Sequence, residues 1–433
     1  MCPRRTPVTP APTTQPNPDR KELPVTCPAH EPIPLPRERN HPLEPARETT
    51  RLLREEPVRK VRFPNGIDAW LISGYEHFRA VMGDPQRFSS RKDEIEPQTR
   101  AVSRPPMNNP AAFNSADGEQ HQHYRRKLTG QFMVKRIAAL RPRIQQIVDE
   151  HLDAVAASPA PVDLVSTFTL PVPSLVIAEL LGVPYEHRQA FQDAASKMLG
   201  LNPTADEAQQ SFARLAAILE SVFDARLSDP RDDLISRLLH EHPDLSHAEL
   251  TSLCAALLIA GHETTANFSA MATITLLQHP DQLATFTAHP ERADQAVEEL
   301  IRRLAGNANI GNLIRRAVQD VEISGQLIRA GDWVAPNTAA ANLDPALCPH
   351  AERLDLDRGP VQHVAFGYGP HACVGQNLAR AELEIMLVSL FSRFPHLRLA
   401  VPVDELPFRH DMLVYGVHSL PVTWLDEGDT AAA

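Results

Sequence analysis

Between Ser246 and His279 the sequence leaves room for one kind of structure, a long helix buried on all sides. Ser246-His247-Ala248-Glu249 is a capping-box pattern, in which the serine and the glutamate each satisfy an amide the helix start would leave unpaired. His279-Pro280 closes the stretch, because proline cannot continue a helix. About thirty helical residues at 1.5 Å each span roughly 45 Å. The segment Leu250 to Leu277 is apolar nearly all round, so it should run through the middle of the fold. At its centre stands Ala260-Gly261-His262-Glu263-Thr264-Thr265. Glycine costs about 1 kcal/mol against alanine inside a helix, and β-branched threonine is also a poor choice there. A glycine, an acid and two hydroxyls in a buried helix point to a site. The longest wholly apolar run, Leu253 to Gly261, stops far short of a membrane span.

The rest of the chain is organised around that helix. Residues 1 to 36 are dense in Pro and Thr and poor in aromatics, the composition of a disordered leader, and 37 to 433 are expected to form one domain. Pro57 to Tyr75 alternates around Asn65-Gly66, which predicts a hairpin. Helical periodicity covers Glu76 to Met82, Gln120 to Val155, Pro173 to Leu181, Glu207 to Leu227, Leu234 to His240, Ala293 to Leu304 and Leu378 to Phe394. Strand-like pieces return at Val318 to Ala335 and after Leu397. The expected class is mainly α with small β-sheets. Of 433 residues 42% are hydrophobic and 22% charged, which permits a large core, and a net charge of −11 speaks against binding nucleic acid. Five cysteines at irregular spacing, with no apolar leader segment, fit a reducing cytoplasm better than a secreted disulfide framework.

One of those cysteines carries the sharpest signal. Phe366-Gly367-Tyr368-Gly369-Pro370-His371-Ala372-Cys373-Val374-Gly375 runs directly into a helix from about Gln376. A helix N-terminus and its free amides stabilise a thiolate, and flanking glycines let the backbone close around the sulfur. A thiolate on haem iron pushes electron density toward dioxygen and favours O–O cleavage. The segment resembles the haem-binding loop of the cytochromes P-450, matching Phe-Gly-x-Gly-x-His-x-Cys-x-Gly at every fixed position. The resemblance extends to the central helix, where Ala/Gly-Gly-x-Glu/Asp-Thr falls on Ala260 to Thr264, and covers about residues 40 to 425.

The resemblance implies the family's triangular fold, with haem b (heme b, iron protoporphyrin IX) between the central helix and the helix after the cysteine loop. It implies Cys373 as iron ligand, with Phe366, Gly367 and Gly375 shaping the loop, and His121, Arg125, Arg315 and His371 on the two propionates. Glu263 and Thr264 are implied in dioxygen activation. That step consumes two protons, and a hydroxyl that both accepts and donates suits the water chain delivering them. His262 and Thr265 are read as packing residues. Glu299 and Arg302 are implied in a structural network with a downstream arginine, here Arg353; Arg303 stands where many relatives have Tyr. His123, Arg126 and Lys127 make a basic face of the kind that docks an acidic ferredoxin.

The expected activity is insertion of one oxygen atom of O2 into an apolar C–H or C=C bond by a cytoplasmic monomer without membrane contact. Electrons would come from NAD(P)H through a reductase and ferredoxin. The likeness to the actinobacterial branch implies a bulky secondary metabolite, such as a polyketide or macrolide, as substrate. A peroxide-driven haem-thiolate peroxygenase and a haem-binding sensor without turnover are the alternatives; the acid and alcohol at Glu263 and Thr264 weigh against both. Segments 94–114, 185–206, 307–312 and 412–415 are expected to line the pocket and do not reveal the substrate.

Overall fold

The helix that Ser246 opens runs from His247 to Gln278 in the computed structural model, which describes residues 31–91, 94–99, 111, 113–201, 204–304 and 313–424. The capping box is formed: the Glu249 amide donates to Ser246 Oγ at 3.3 Å, and the Ser246 amide to Glu249 Oε2 at 2.8 Å. The helix is buried through most of its length, with Leu253, Leu258 and Ile274 inside the largest hydrophobic cluster. Each such side chain contributes about 1.5–3 kcal/mol. It packs against the helices Pro171–Leu181, Arg188–Leu199, Ala205–Ser228 and Gln376–Arg393. Among the described residues no helix is long and apolar enough to cross a membrane.

The sheets are small and peripheral. The largest has the order Ile33–Pro34, Val58–Arg62, Asp68–Ile72, Trp333–Pro336, Arg315–Ala317, Phe88–Ser89. Its hairpin is the one predicted, with Arg62 opposite Asp68 and Gly66 at φ +83° in the turn. Ordered chain begins before residue 37, since Ile33–Pro34 pair in parallel with Val61–Arg62 and Leu35 is buried. Residues 1–30, the rest of the expected leader, lie outside the described residues.

Elsewhere the differences are local. The expected helix from Gln120 to Val155 is two helices, Gly118–Thr129 and Val134–Ala157, parted by a 3-10 turn at Gly130–Phe132 and extended backbone at Met133. Periodicity alone missed Arg188–Leu199 and Pro280–Ala288; the latter starts with proline, whose missing N–H costs nothing at a helix start.

The expected network on Glu299 is present and buried, and one partner differs. Arg302 donates Nε and Nη2 to the two Glu299 oxygens at 2.7 and 2.8 Å, and Nη1 to the carbonyls of Asn342 and Ala351 at 2.7 Å each. The downstream arginine is Arg358, whose Nε donates to Glu299 Oε1 at 3.1 Å; Arg353 supplies only its carbonyl oxygen. Arg303, in place of Tyr, pairs with Glu44 at 2.5 Å. Removing one member of a buried pair of this kind typically costs about 3–5 kcal/mol. The network pins the irregular chain that leads into the cysteine loop.

Candidate active site

The cysteine loop is shaped by its contact with the helix Tyr75–Met82. Gly367 and Gly369 have φ of +75° and +71°. A Cβ on Gly369 would lie 2.6 Å from the Met82 carbonyl oxygen, so only glycine lets the loop approach. Gly375, by contrast, has an ordinary φ of −84°, and its role is as the cap of the helix Gln376–Arg393. The Cys373 amide donates to the Phe366 carbonyl at 2.8 Å, closing the loop, and the Arg380 guanidinium lies 4.5 Å over the Phe366 ring. Cys373 is exposed by surface area, yet the protein packed around its sulfur pushes the thiol above its ordinary range. The Gly375 amide, Arg125 and Arg380 act in the opposite direction without overcoming it. A bound metal is what deprotonates such a thiol outright.

Next to the loop, cations gather from separate elements. His121 and Arg125 sit one turn apart on Gly118–Thr129, and Arg315 opens a strand that pairs with Phe88–Ser89. The His121 and His371 rings lie 4.1 Å apart. His371 Nε2 is 3.1 Å from Ser90 Oγ and 3.8 Å from Asp117 Oδ1. Asp117 does not cap its own helix: it accepts from Ser89 Oγ at 2.5 Å and the Ser90 amide at 3.0 Å. Burial works to raise its carboxyl, but the nearby His371 and the hydrogen bonds from Ser89 and Ser90 bring it down to about 2. Burial, then His371 and Arg125, push His121 down to about 4, so its imidazole is neutral. Arg315 is buried, lowered to about 10 by desolvation, and among the described residues donates to the carbonyls of Leu313 and Ile314. Neither Arg125 nor Arg315 is paired with a carboxylate among the described residues. His121 Nε2 is buried without a partner.

On the central helix the motif splits between two faces. Ala260 and Thr264 are exposed on a helix otherwise almost wholly buried, while Glu263 is buried. Thr264 Oγ1 donates to the Ala260 carbonyl at 2.7 Å, which leaves its lone pairs free to accept. Glu263 Oε2 accepts from Arg409 Nη1 at 2.8 Å and from Asn267 Nδ2 at 3.0 Å. Acid and alcohol are thus adjacent in sequence but not hydrogen-bonded to each other.

The description "Cytochrome P450" is matched by residues 293–416, written hereafter P-450. Cytochrome P-450-SU2 of Streptomyces griseolus is 40% identical over 393 residues, covering 90% of this chain and 96% of its own. The chain belongs to the cytochrome P-450 family. Pentalenic acid synthase of Streptomyces avermitilis is 41% identical over 91% of this chain and 98% of its own. The crystal structure of CYP105P1 in complex with filipin I superposes with a TM-score of 0.85 at 42% identity, covering 91% of this chain and 99% of that one. The protein is therefore a P-450 enzyme with the P-450 fold, mainly α with small sheets, and the family implies a haem-thiolate centre. The residues fit that group: two propionates need donors, and the orphaned Nε2 of buried His121 stands with His371 and two guanidiniums that have no carboxylate partner among the described residues, beside an accessible cysteine.

Of the basic face, His123 and Lys127 are both engaged by Asp244, at 3.6 and 2.8 Å, which leaves Arg126 as its exposed charge. Segment 307–312 and residues 100–110, 112, 202 and 203 of the expected pocket lie outside the described residues. Two other segments expected at the pocket are joined: the Leu413 amide donates to the Leu199 carbonyl at 2.9 Å, and the Leu201 amide to the Asp411 carbonyl at 2.8 Å. The sequence reading missed Asn267 and Arg409; Asn267 one turn after Glu263 was the only signal for either. It also missed Glu382, buried with Oε2 unpartnered and pushed well above the usual carboxyl range by desolvation.

His262 is buried as expected, edge-on to Phe191 with centroids 6.2 Å apart, but both ring nitrogens lack partners. Desolvation lowers it to about 4, against the opposing pull of Glu263. Because the unfolded chain takes up this proton near pH 6.5 and the folded one only near 4, stability is intact above 6.5 and lost as pH falls through that window. Urea unfolding of His262→Phe should therefore lose about 2 kcal/mol less than the parent between pH 7 and pH 4.5. Equal losses in both proteins would mean that His262 is charged or solvated in the fold.

Proposed function

We propose that this P-450 is a monooxygenase that inserts one oxygen atom of O2 into an apolar C–H or C=C bond of a bulky secondary metabolite, such as a polyketide or macrolide. The observation that carries the reading is the donor set around Cys373: an accessible thiol beside His121, Arg125, Arg315 and His371, with Asp117 and Glu96 as opposing charges among the described residues. When bound, haem b held by Cys373 supplies the redox chemistry that cleaves dioxygen. The protein's own part is to orient and to deliver protons. His121, Arg125, Arg315 and His371 neutralise the propionates and fix the ring; neutral His121 donates one N–H, and neither guanidinium is paired with a carboxylate among the described residues. Thr264, with free lone pairs on the exposed face of the central helix, holds a water at the oxygen side, and buried Glu263 passes protons to it.

The substrate class is supported by the relatives, one named a pentalenic acid synthase and another solved with filipin I. Electrons come from NAD(P)H through a reductase and ferredoxin, in the cytoplasm, with the chain acting as a monomer. The test is turnover with haem, ferredoxin, reductase and NAD(P)H under isotopically labelled dioxygen, on a panel of polyketides and macrolides that first show a substrate-binding spectral change. The expected product carries one labelled oxygen and requires NAD(P)H. Product from hydrogen peroxide alone, with none through the electron-transfer chain, would return the peroxygenase reading.

A further inference from the structure

Glu298 stands beside Glu299 in sequence, but its partners are different and belong to the cysteine loop and the helix that follows it. Its Oε2 accepts from Arg380 Nη2 at 3.2 Å, and its Oε1 from Arg380 Nε. His363 Nε2 lies 3.1 Å from the same Oε2; since His363 Nδ1 accepts from the Ala365 amide at 3.3 Å, Nε2 is the nitrogen left to donate. Burial works to raise the Glu298 carboxyl, but His363 and Arg380 bring it down to about 2, so it is charged at neutral pH. Arg380, in the second turn of the helix Gln376–Arg393, is held by two further groups. Its Nη1 donates to Gln376 Oε1 at 3.0 Å, and its guanidinium lies 4.5 Å over the Phe366 ring.

A half-exposed ion pair gains little stability from such restraint, because ordering a long side chain costs entropy that a screened attraction hardly offsets. What the restraint does fix is the place of the charge. Phe366 is the residue whose carbonyl accepts from the Cys373 amide, so the cation is pinned to the loop that carries the sulfur, and Arg380 is one of the groups that pull on Cys373. One-electron reduction, at the expense of a ferredoxin, adds one negative charge to the group that Cys373 would hold. A cation fixed beside the ligand favours that reduced state, and an anion opposes it. We propose that Arg380 is a positioning residue that raises the reduction potential of the haem-thiolate centre, with Glu298 holding it over Phe366 and partly offsetting its charge. The inference rests on Cys373 as the iron ligand, proposed above.

Arg380→Met keeps most of the side-chain length and removes the charge. In haem-loaded protein, a mediated redox titration without any protein partner should find the ratio of reduced to oxidised haem at the parent's midpoint lowered roughly tenfold, a shift of about 59 mV for one electron. Glu298→Gln should move the midpoint the other way, since it leaves the cation and removes the opposing charge. Arg380→Lys, which keeps the charge, should stay nearer the parent than the methionine variant does. With no ferredoxin present, a docking role for the exposed part of Arg380 does not enter these values. Arg380→Gln replaces the methionine variant if that one does not take up haem. An unchanged midpoint without the Arg380 charge overturns the proposal, and so do shifts of the same sign in Arg380→Met and Glu298→Gln, since a loosened loop is then what the titration reads. The reduced, CO-bound spectrum of the parent reports separately on the ligand: a parent without the thiolate-type band overturns the assignment of Cys373, and the proposal with it, before any variant is compared.

Discussion

Cys373→Ser is expected to erase the thiolate-type absorption band of the reduced, CO-bound protein, and turnover with it. Sulfur is a soft, polarisable donor, whereas a serine hydroxyl is hard and stays protonated. The loop makes the contrast sharper. Burial around Cys373 raises the thiol against the pull of the Gly375 amide, Arg125 and Arg380, and an alcohol in that setting is a far weaker acid still. The fold should survive the change. The Cys373 amide bond to Phe366 and the glycines at 367 and 369 are backbone features that serine keeps. Haem content and the parent's absorption spectrum are the measurements. A variant that retained the parent's band would place the ligand elsewhere and remove the basis for every role assigned around the loop.

What the sequence made legible divides along physical lines. Local features could be read directly: the capping box needs only Ser246 and Glu249, and the Asn65-Gly66 turn only its flanking alternation. The cysteine loop could be read because its backbone conformation demands glycine at 367 and 369. Long-range choices could not. Several arginines follow Ala351, and nothing local says that Arg358 rather than Arg353 returns to Glu299; Arg353 enters through its carbonyl, which any residue has. The i,i+3 spacing of Glu299 and Arg302 is that of any surface ion pair, and it is packing against the segments that carry Asn342 and Ala351 that makes this one buried. Arg409 meets Glu263 across 146 positions, so no periodicity reports it. The helix start beside Cys373 is likewise visible in sequence, whereas the burial around its sulfur is a property of the packed fold.

Thr264→Ala is the second large effect expected, and it falls on coupling and not on binding. The change removes one hydroxyl from the exposed face of a buried helix and leaves the cysteine loop, His121, Arg315 and the Glu263–Arg409 pair untouched. Haem content and substrate affinity should hardly move. The hydroxyl spends its proton on the Ala260 carbonyl at 2.7 Å and keeps its lone pairs for a water, so its loss deprives that water of a fixed acceptor. Removal of a positioned proton-transfer group typically costs 10²- to 10⁴-fold in the assisted step. NAD(P)H and dioxygen should still be consumed, but with two electrons and two protons leaving as hydrogen peroxide in place of product and water. Glu263→Gln should behave differently, because Asn267 and Arg409 can still hold an amide in place while the relay loses its titratable group; overall turnover slows more than electrons divert to peroxide. Measuring product, peroxide and NAD(P)H together separates the two. Unchanged product per NAD(P)H in Thr264→Ala would mean that its bond to Ala260 is the whole of its role, and that the water is held by the backbone around Gly261.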